Sequence, residues 1–268
     1  MNTIFGFIGT GNMGSALVRS AAKTLKPEQL LLTDSYAPVA EKLAAELSCK
    51  ATDIETVAAS ATFLFLGVKP QVMALLFREI APILAERTDR FVLVSMAAGL
   101  TIDRIWQMAQ DNYPIIRIMP NTPASVGEGM ILYTSANAEE AEVETFLSGM
   151  AKAGKFCALP ENLIDAGSAL SGCGPAYVCL FLEALADGGV ACGLPRQQAL
   201  ELAAQTLLGT AKLVQQTGQH PGQLKDAVCS PGGSTIAGVA ALENGGFRGT
   251  VLEAVNEAFR RTKELGQN

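Results

Sequence analysis

The residues of this chain best suited to chemistry fall in three groups, and the first is a run of glycines. Gly9-Thr10-Gly11-Asn12-Met13-Gly14 follows the short apolar run Thr3–Ile8 and leads into an apolar helical stretch from Ser15 onward. In a G-x-G-x-x-G of this kind the first glycine makes the tight turn off a strand. The second lets a pyrophosphate approach the backbone, and the third lets helix and strand pack closely. An anion above the turn meets free N–H groups at the positive end of the helix. Its place between a strand and a helix makes this motif more specific than the spacing alone.

The second group consists of residues that follow strands. Asp34 closes the second apolar run, about 20 residues past the turn, where an acid can bond a ribose 2′-OH. It can equally be a helix cap or turn residue. Ser35 beside it could accept a 2′-phosphate, and no arginine is adjacent. Three loops, Val68-Lys69-Pro70, Ser95–Gly99 and Met119–Pro123, leave strands at the end where parallel sheets bind ligands. Lys69 reads as readily as a solvated lysine at a strand end, and Asn121 as a turn cap.

The third group lies in the second half. Cys229-Ser230-Pro231-Gly232-Gly233-Ser234-Thr235 precedes an apolar helix. Such a start exposes several N–H donors together, a carboxylate-sized anion site, unless Ser or Thr merely caps the helix. Leu170–Tyr177 is a tight turn of small residues entering another helix. The one histidine, His220, precedes Pro221 and reads as a helix cap rather than a proton donor. Hydroxyacid dehydrogenases of related build place a lysine on a helix of the second domain, and Gly172 to Leu182 holds none.

The elements that must position these residues alternate through the first half. Apolar runs at 30–33, 62–68, 91–95, 115–119 and 130–133 read as strands, the one at 62–68 central and buried on both faces. Pro38 is placed to begin a helix to Leu47. Asp53 caps a short helix ending near Ser60, and Pro70 opens another. This alternation predicts an α/β fold, a Rossmann-like doubly wound parallel sheet. Beyond the run 155–159 only helical periodicity remains. The expected domains are therefore 1–159, binding a dinucleotide, and 160–268, all-α. Pro175–Leu194, the longest apolar stretch, reads as a buried helix rather than a membrane span, because Glu183 and Asp187 interrupt it.

With 49% apolar and 17% charged residues the composition is that of a globular protein. The net charge of −6 excludes an electrostatic footprint for nucleic acid or anionic membrane. The first residues read as a strand rather than as a signal peptide. Six cysteines without C-x-x-C spacing predict reduced thiols in the cytoplasm, with neither a metal site nor a disulfide framework.

In this order the motifs resemble the pyrroline-5-carboxylate reductase family nearly end to end. The resemblance rests on Phe7–Gly14, Val68-Lys69-Pro70, Ala97-Ala98-Gly99, Met119–Ala124, Leu170–Tyr177, Ala186–Gly189, His220–Asp226 and Ser230–Ile236. It implies reduction of 1-pyrroline-5-carboxylate to L-proline by NADPH or NADH, the last step of proline biosynthesis. NADP(H) is favoured by the family, and Asp34 leaves NAD(H) open. Ile8, Gly9, Thr10, Gly11, Asn12 and Met13 would surround the pyrophosphate, and Ser35 the adenosine ribose or its phosphate. Asp53, where some relatives carry Asn, would lie near the ribose. Val68, Lys69, Pro70, Ala97 and Asn121 would face the rest of the cofactor. Ser230, Gly232, Gly233, Ser234 and Thr235 would hold the substrate carboxylate, with the catalytic Thr235 hydroxyl directed at the ring nitrogen. Glu161 would contact substrate or product. The all-α half would form homodimers, often assembled into decamers, each site completed by a neighbour. Rival readings are another imine or hydroxyacid reductase and a non-catalytic dinucleotide sensor.

Overall fold

The computed structural model describes residues 3–266. Its chain forms two compact units. One runs to Cys173 and takes in the chain again from Ala258, and the other is Gly174–Glu257.

The first unit is built on an eight-stranded sheet. Its strands are β1 (Phe5–Ile8), β2 (Leu30–Thr33), β3 (Lys50–Ala51), β4 (Phe63–Leu66), β5 (Val92–Ser95), β6 (Ile115–Met119), β7 (Gly129–Ala136) and β8 (Gly154–Ala158). They lie in the order β3-β2-β1-β4-β5-β6-β7-β8. Neighbours are parallel except β6 and β7, so the last two strands run against the rest. The helices are α1 (Asn12–Ala21), α2 (Ala37–Leu47), α3 (Ile54–Ser60), α4 (Pro70–Ala85), α5 (Ile102–Ala109), α6 (Glu140–Gly149) and α7 (Glu161–Gly167).

The sheet is doubly wound because its strands are apolar on both faces. Phe5, Phe7, Phe63, Phe65, Val92 and Val94 point into one core with Leu17, Leu43 and Phe146. Ile8, Leu64, Leu66 and Leu93 point into the other with Phe77 and Ile105. Phe7 stacks on Phe65 with centroids 4.1 Å apart, tying β1 to β4 at the centre. Each fully buried Phe or Leu here contributes about 1.5–3 kcal/mol.

By its contacts the sheet's compact unit runs on past the composition shift near Leu159. Ile164 of α7 packs with Met119 and Leu132 of the sheet, and the π-helical turn Ser168–Gly172 continues it. Helical sequence therefore belongs to the sheet's unit as far as Cys173.

The second unit is helical: α8 (Gly174–Ala191), α9 (Arg196–Thr217), α10 (Pro221–Ala227), α11 (Ser234–Asn244) and the first part of α12 (Phe247–Gly266). Ala186 of α8 meets Ala199 and Ala203 of α9, and the Tyr177 hydroxyl donates to the Ala254 carbonyl at 3.2 Å. The expected burial of 175–194 does not occur within the chain. In α8 only Ala186 is fully buried, and Leu180 is 69% exposed. The helical stretch Glu161–Ala191 is long and apolar enough to cross a membrane by length and composition alone.

Candidate active site

The crevice outside β1 is where the order of crossovers reverses, since β1 lies between β2 and β4, and such a crevice is the expected ligand site of a parallel sheet. The backbone there is interlocked. Gly9 turns off the strand at φ +97°, and a Cβ on it would stand 2.6 Å from the Gly67 carbonyl. A Cβ on Gly14 would collide with the Gly9 carbonyl. Gly11 is different, because a Cβ there meets nothing within 4 Å. It is also the N-cap of α1, so no side chain caps the helix, and no acid sits in the first turn. Open space above uncapped N–H groups fits a pyrophosphate.

A cleft of about 840 Å³ opens from this point and is lined by Ile8, Gly9, Gly11, Asp34, Ser35, Asp53, Val68 and Lys69. Val72, Leu75, Ile54 and Ala40 give it an apolar wall, suited to an adenine face. Of the other predicted contacts, Asn12 and Pro70 are the first residues of α1 and α4, and Met13 packs against the core. Thr10 is buried and bonded to Asp34.

The two acids of the cleft have local work. Asp34 Oδ2 accepts from the Thr10 N–H at 2.7 Å and from its hydroxyl at 3.1 Å. Its Oδ1 accepts from the Tyr36 N–H at 3.1 Å. The carboxylate thus braces the glycine turn. Asp53 is the N-cap of α3, accepting from the Thr56 N–H at 2.6 Å. Hydrogen bonds from Thr56, first its side chain and then its N–H, hold the Asp53 carboxyl below the usual carboxylate range.

Past β5 and β6 the predicted residues are held by polar contacts. Ala97 is buried, its N–H 3.4 Å from the Ser95 hydroxyl. Asn121 uses both ends of its amide. Nδ2 donates to the Ser171 carbonyl at 2.9 Å, and Oδ1 accepts from the Met130 N–H at 2.9 Å. Asn121 therefore ties the β6 loop to the π-helical turn and to β7. Glu161 accepts from the Ile102 N–H at 2.7 Å and from Arg117 at 3.1 Å, while Asp165 accepts from Arg117 at 2.9 Å. Arg117 is 1% exposed. Its Nε is the one buried side-chain nitrogen or oxygen among the described residues without a hydrogen-bond partner.

Sequence reasoning missed this cluster, although its signal was present. A lone arginine sits inside Ile-Ile-Arg-Ile-Met, and two acids stand four residues apart, on one face of a helix.

In the second unit, Gly232 has φ +69°, and the Gly233 N–H returns to the Ser230 carbonyl at 3.0 Å. The N-cap of α11 is Gly233, without a side chain, and no side chain caps the helix. Ser234 and Thr235 lie inside the first turn, exposed. The alternative that Ser or Thr caps this helix is thereby removed, and its first N–H groups are left for another acceptor. His220 does cap α10, its Nδ1 accepting from the Gly222 N–H at 3.1 Å. Among the described residues no His, Cys, Asp and Glu cluster could hold a metal ion.

A family described as pyrroline-5-carboxylate reductase dimerisation matches residues 161–265, and one described as NADP oxidoreductase, coenzyme F420-dependent, matches 4–99. The pyrroline-5-carboxylate reductase of a Synechocystis species is 43% identical, over 100% of both chains. The chain belongs to the pyrroline-5-carboxylate reductase family. The soybean (Glycine max) reductase is 44% identical over 97% of this chain and 95% of its own. The crystal structure of the Plasmodium falciparum pyrroline carboxylate reductase with NADP bound is 33% identical. It covers 99% of this chain and 98% of its own, with a TM-score of 0.86. The chain is accordingly an oxidoreductase with a Rossmann-like NAD(P)-binding half and a dimerisation half through which it self-associates.

Proposed function

We infer that the chain reduces 1-pyrroline-5-carboxylate to L-proline with NADPH or NADH, the last step of proline biosynthesis. One observation carries the mechanism: two glycine-capped helix starts, α1 and α11, both without side-chain caps. One suits a pyrophosphate and the other a carboxylate.

A reduced nicotinamide held along the β1 crevice would supply the hydride. The chain's own task is alignment. The N–H groups of the Ser230–Thr235 segment bind the substrate carboxylate, with Gly232, Gly233 and Ser234 shaping the turn. The Thr235 hydroxyl bonds the ring nitrogen. As hydride reaches the imine carbon, the C=N π pair moves onto that nitrogen, which then carries the proton already on the imine. A protonated imine is electrophilic without a dedicated acid, in keeping with a chain whose sole histidine is spent as a helix cap. Positioning of this kind supplies about 7–11 kcal/mol in favourable cases.

Val68, Lys69, Pro70 and Ala97 border the nicotinamide half in this reading. Asn121 and Glu161 act by holding the β6 loop and α5 in place, given the partners they already have. The self-association is a homodimer through the helical half, extended to decamers, with the neighbour's Ser230–Thr235 segment completing each site. The exposed apolar surface of α8 supports a second copy as its cover rather than lipid, and the chain is cytoplasmic.

The test is a coupled measurement of reduced-nicotinamide consumption and proline formation with 1-pyrroline-5-carboxylate, set against 3-hydroxy acids with oxidised cofactor. Turnover of the imine alone is expected. Binding of cofactor with no imine-dependent oxidation would favour the sensor reading.

A further inference from the structure

We propose that this chain prefers NADH to NADPH, because its cleft is lined by four carboxylates and no arginine stands among the lining residues to receive a 2′-phosphate. The proposal rests on the family reading only for the presence of a nicotinamide dinucleotide.

Asp34, Glu41, Asp53 and Glu79 all line the cleft, and Lys69 is the one cation among the lining residues. Lys69 leaves β4, two strands from the end of β2 that carries Asp34. Strand spacing alone sets the ends of β2 and β4 roughly 9–10 Å apart. A 2′-phosphate on the ribose would bring a further charge of about −1.5 to −2 into this cleft. Its usual partner, a planar guanidinium offering two parallel N–H donors, is missing from the lining. The ribose hydroxyl of NADH meets the opposite situation. Asp34 is fixed through Oδ2, while its Oδ1 takes one firm bond, from Tyr36, and a long 3.5 Å approach from Ser35. A carboxylate oxygen has two lone pairs, so Oδ1 retains an acceptor position for a hydroxyl. Among the described residues none of these four acids stands in an ion pair. Asp53 is bonded only to donors of Thr52 and Thr56, which carry no charge.

Binding is measured on the full chain without substrate, by the fluorescence of each reduced nicotinamide, at ionic strengths from about 0.05 to about 0.5 M. NADH should bind about tenfold or more tightly than NADPH at low salt, a difference of about 1.4 kcal/mol. The gap should narrow as salt screens the carboxylates. D53N and E79Q should each narrow it further by favouring NADPH. Asn is as good an N-cap as Asp, so D53N keeps α3 formed. Equal or tighter NADPH binding, or a gap that neither salt nor these variants move, overturns the proposal. If NADH is preferred but no proline forms, the preference stands and the reductase reading fails. If proline forms best with NADPH, the reverse holds.

Discussion

At the residue scale the decisive side chains are those with nothing local left to do. Thr235 sits in the first turn of a helix that glycine already caps, so its hydroxyl is not spent on capping and, in the proposed function, bonds the substrate. T235A should lower kcat/KM for the imine roughly 10–100-fold, the worth of one hydrogen bond to a charged group, while T235S restores most of it. Unchanged steady-state constants would remove Thr235 from the site. Arg117 is the opposite kind of residue, with two carboxylates on its fork. R117M strands Glu161 and Asp165, yet these are 32% and 27% exposed and keep some water. The cost should therefore fall near about 1–3 kcal/mol, below the full penalty of a broken buried pair. R117K should lie between, and equilibrium denaturation orders the three proteins. Asp53 and His220 were legible as caps because capping is decided within three residues. The partners of Asn121 and Glu161 were not, because they lie 44 to 59 positions away for Glu161 and up to 50 for Asn121.

At the element scale, legibility followed length. The central strands announce themselves as unbroken apolar runs, and the glycine turn between β1 and α1 needs no tertiary information. β3 has two residues and no periodicity to read. The reversal of β7 depends on a turn after Asn121, whose geometry is set by contacts with β7 and the π-helical turn. G14A tests the first turn. Its methyl would be forced into the Gly9 carbonyl, so stability should drop by about 1–3 kcal/mol, and nicotinamide binding should be lost in the same fluorescence titration. Acid tests α3. Because the folded Asp53 carboxyl sits below its ordinary range, its capping contribution is complete above the ordinary pKa near 3.9. It disappears as pH falls through the lowered value. A melting-temperature series in acid should show a shallower decline for D53N than for the parent chain.

At the scale of the whole molecule, the division into a sheet unit and a helical unit follows from where the strand pattern stops. The extent of the sheet's compact unit does not, because α7 packs on the sheet and the π-helical turn is tied to the loop after β6, although both are helical in sequence. Nor could the sequence alone say what covers α8. Its even apolarity suggested a helix interior to the fold, whereas Val178 and Leu180 are largely bare in the single chain. L180E should weaken self-association, shifting the mass in sedimentation equilibrium toward the 28.1 kDa of one chain, and imine turnover should fall with it. An unchanged assembly would place the contact on another face.

The backbone knot at Gly9, Gly14 and Gly67 also has a bearing on how such a protein can change over generations. Three main-chain segments touch there with no room for a single methyl group, so stepwise substitution at any one of them meets a steric wall. The rim formed by Glu41, Asp53 and Glu79 is exposed and free to drift. On the proposed preference, descendants of this chain can exchange one dinucleotide for the other at the periphery while the turn itself stays frozen, and an engineer would work on the same side chains.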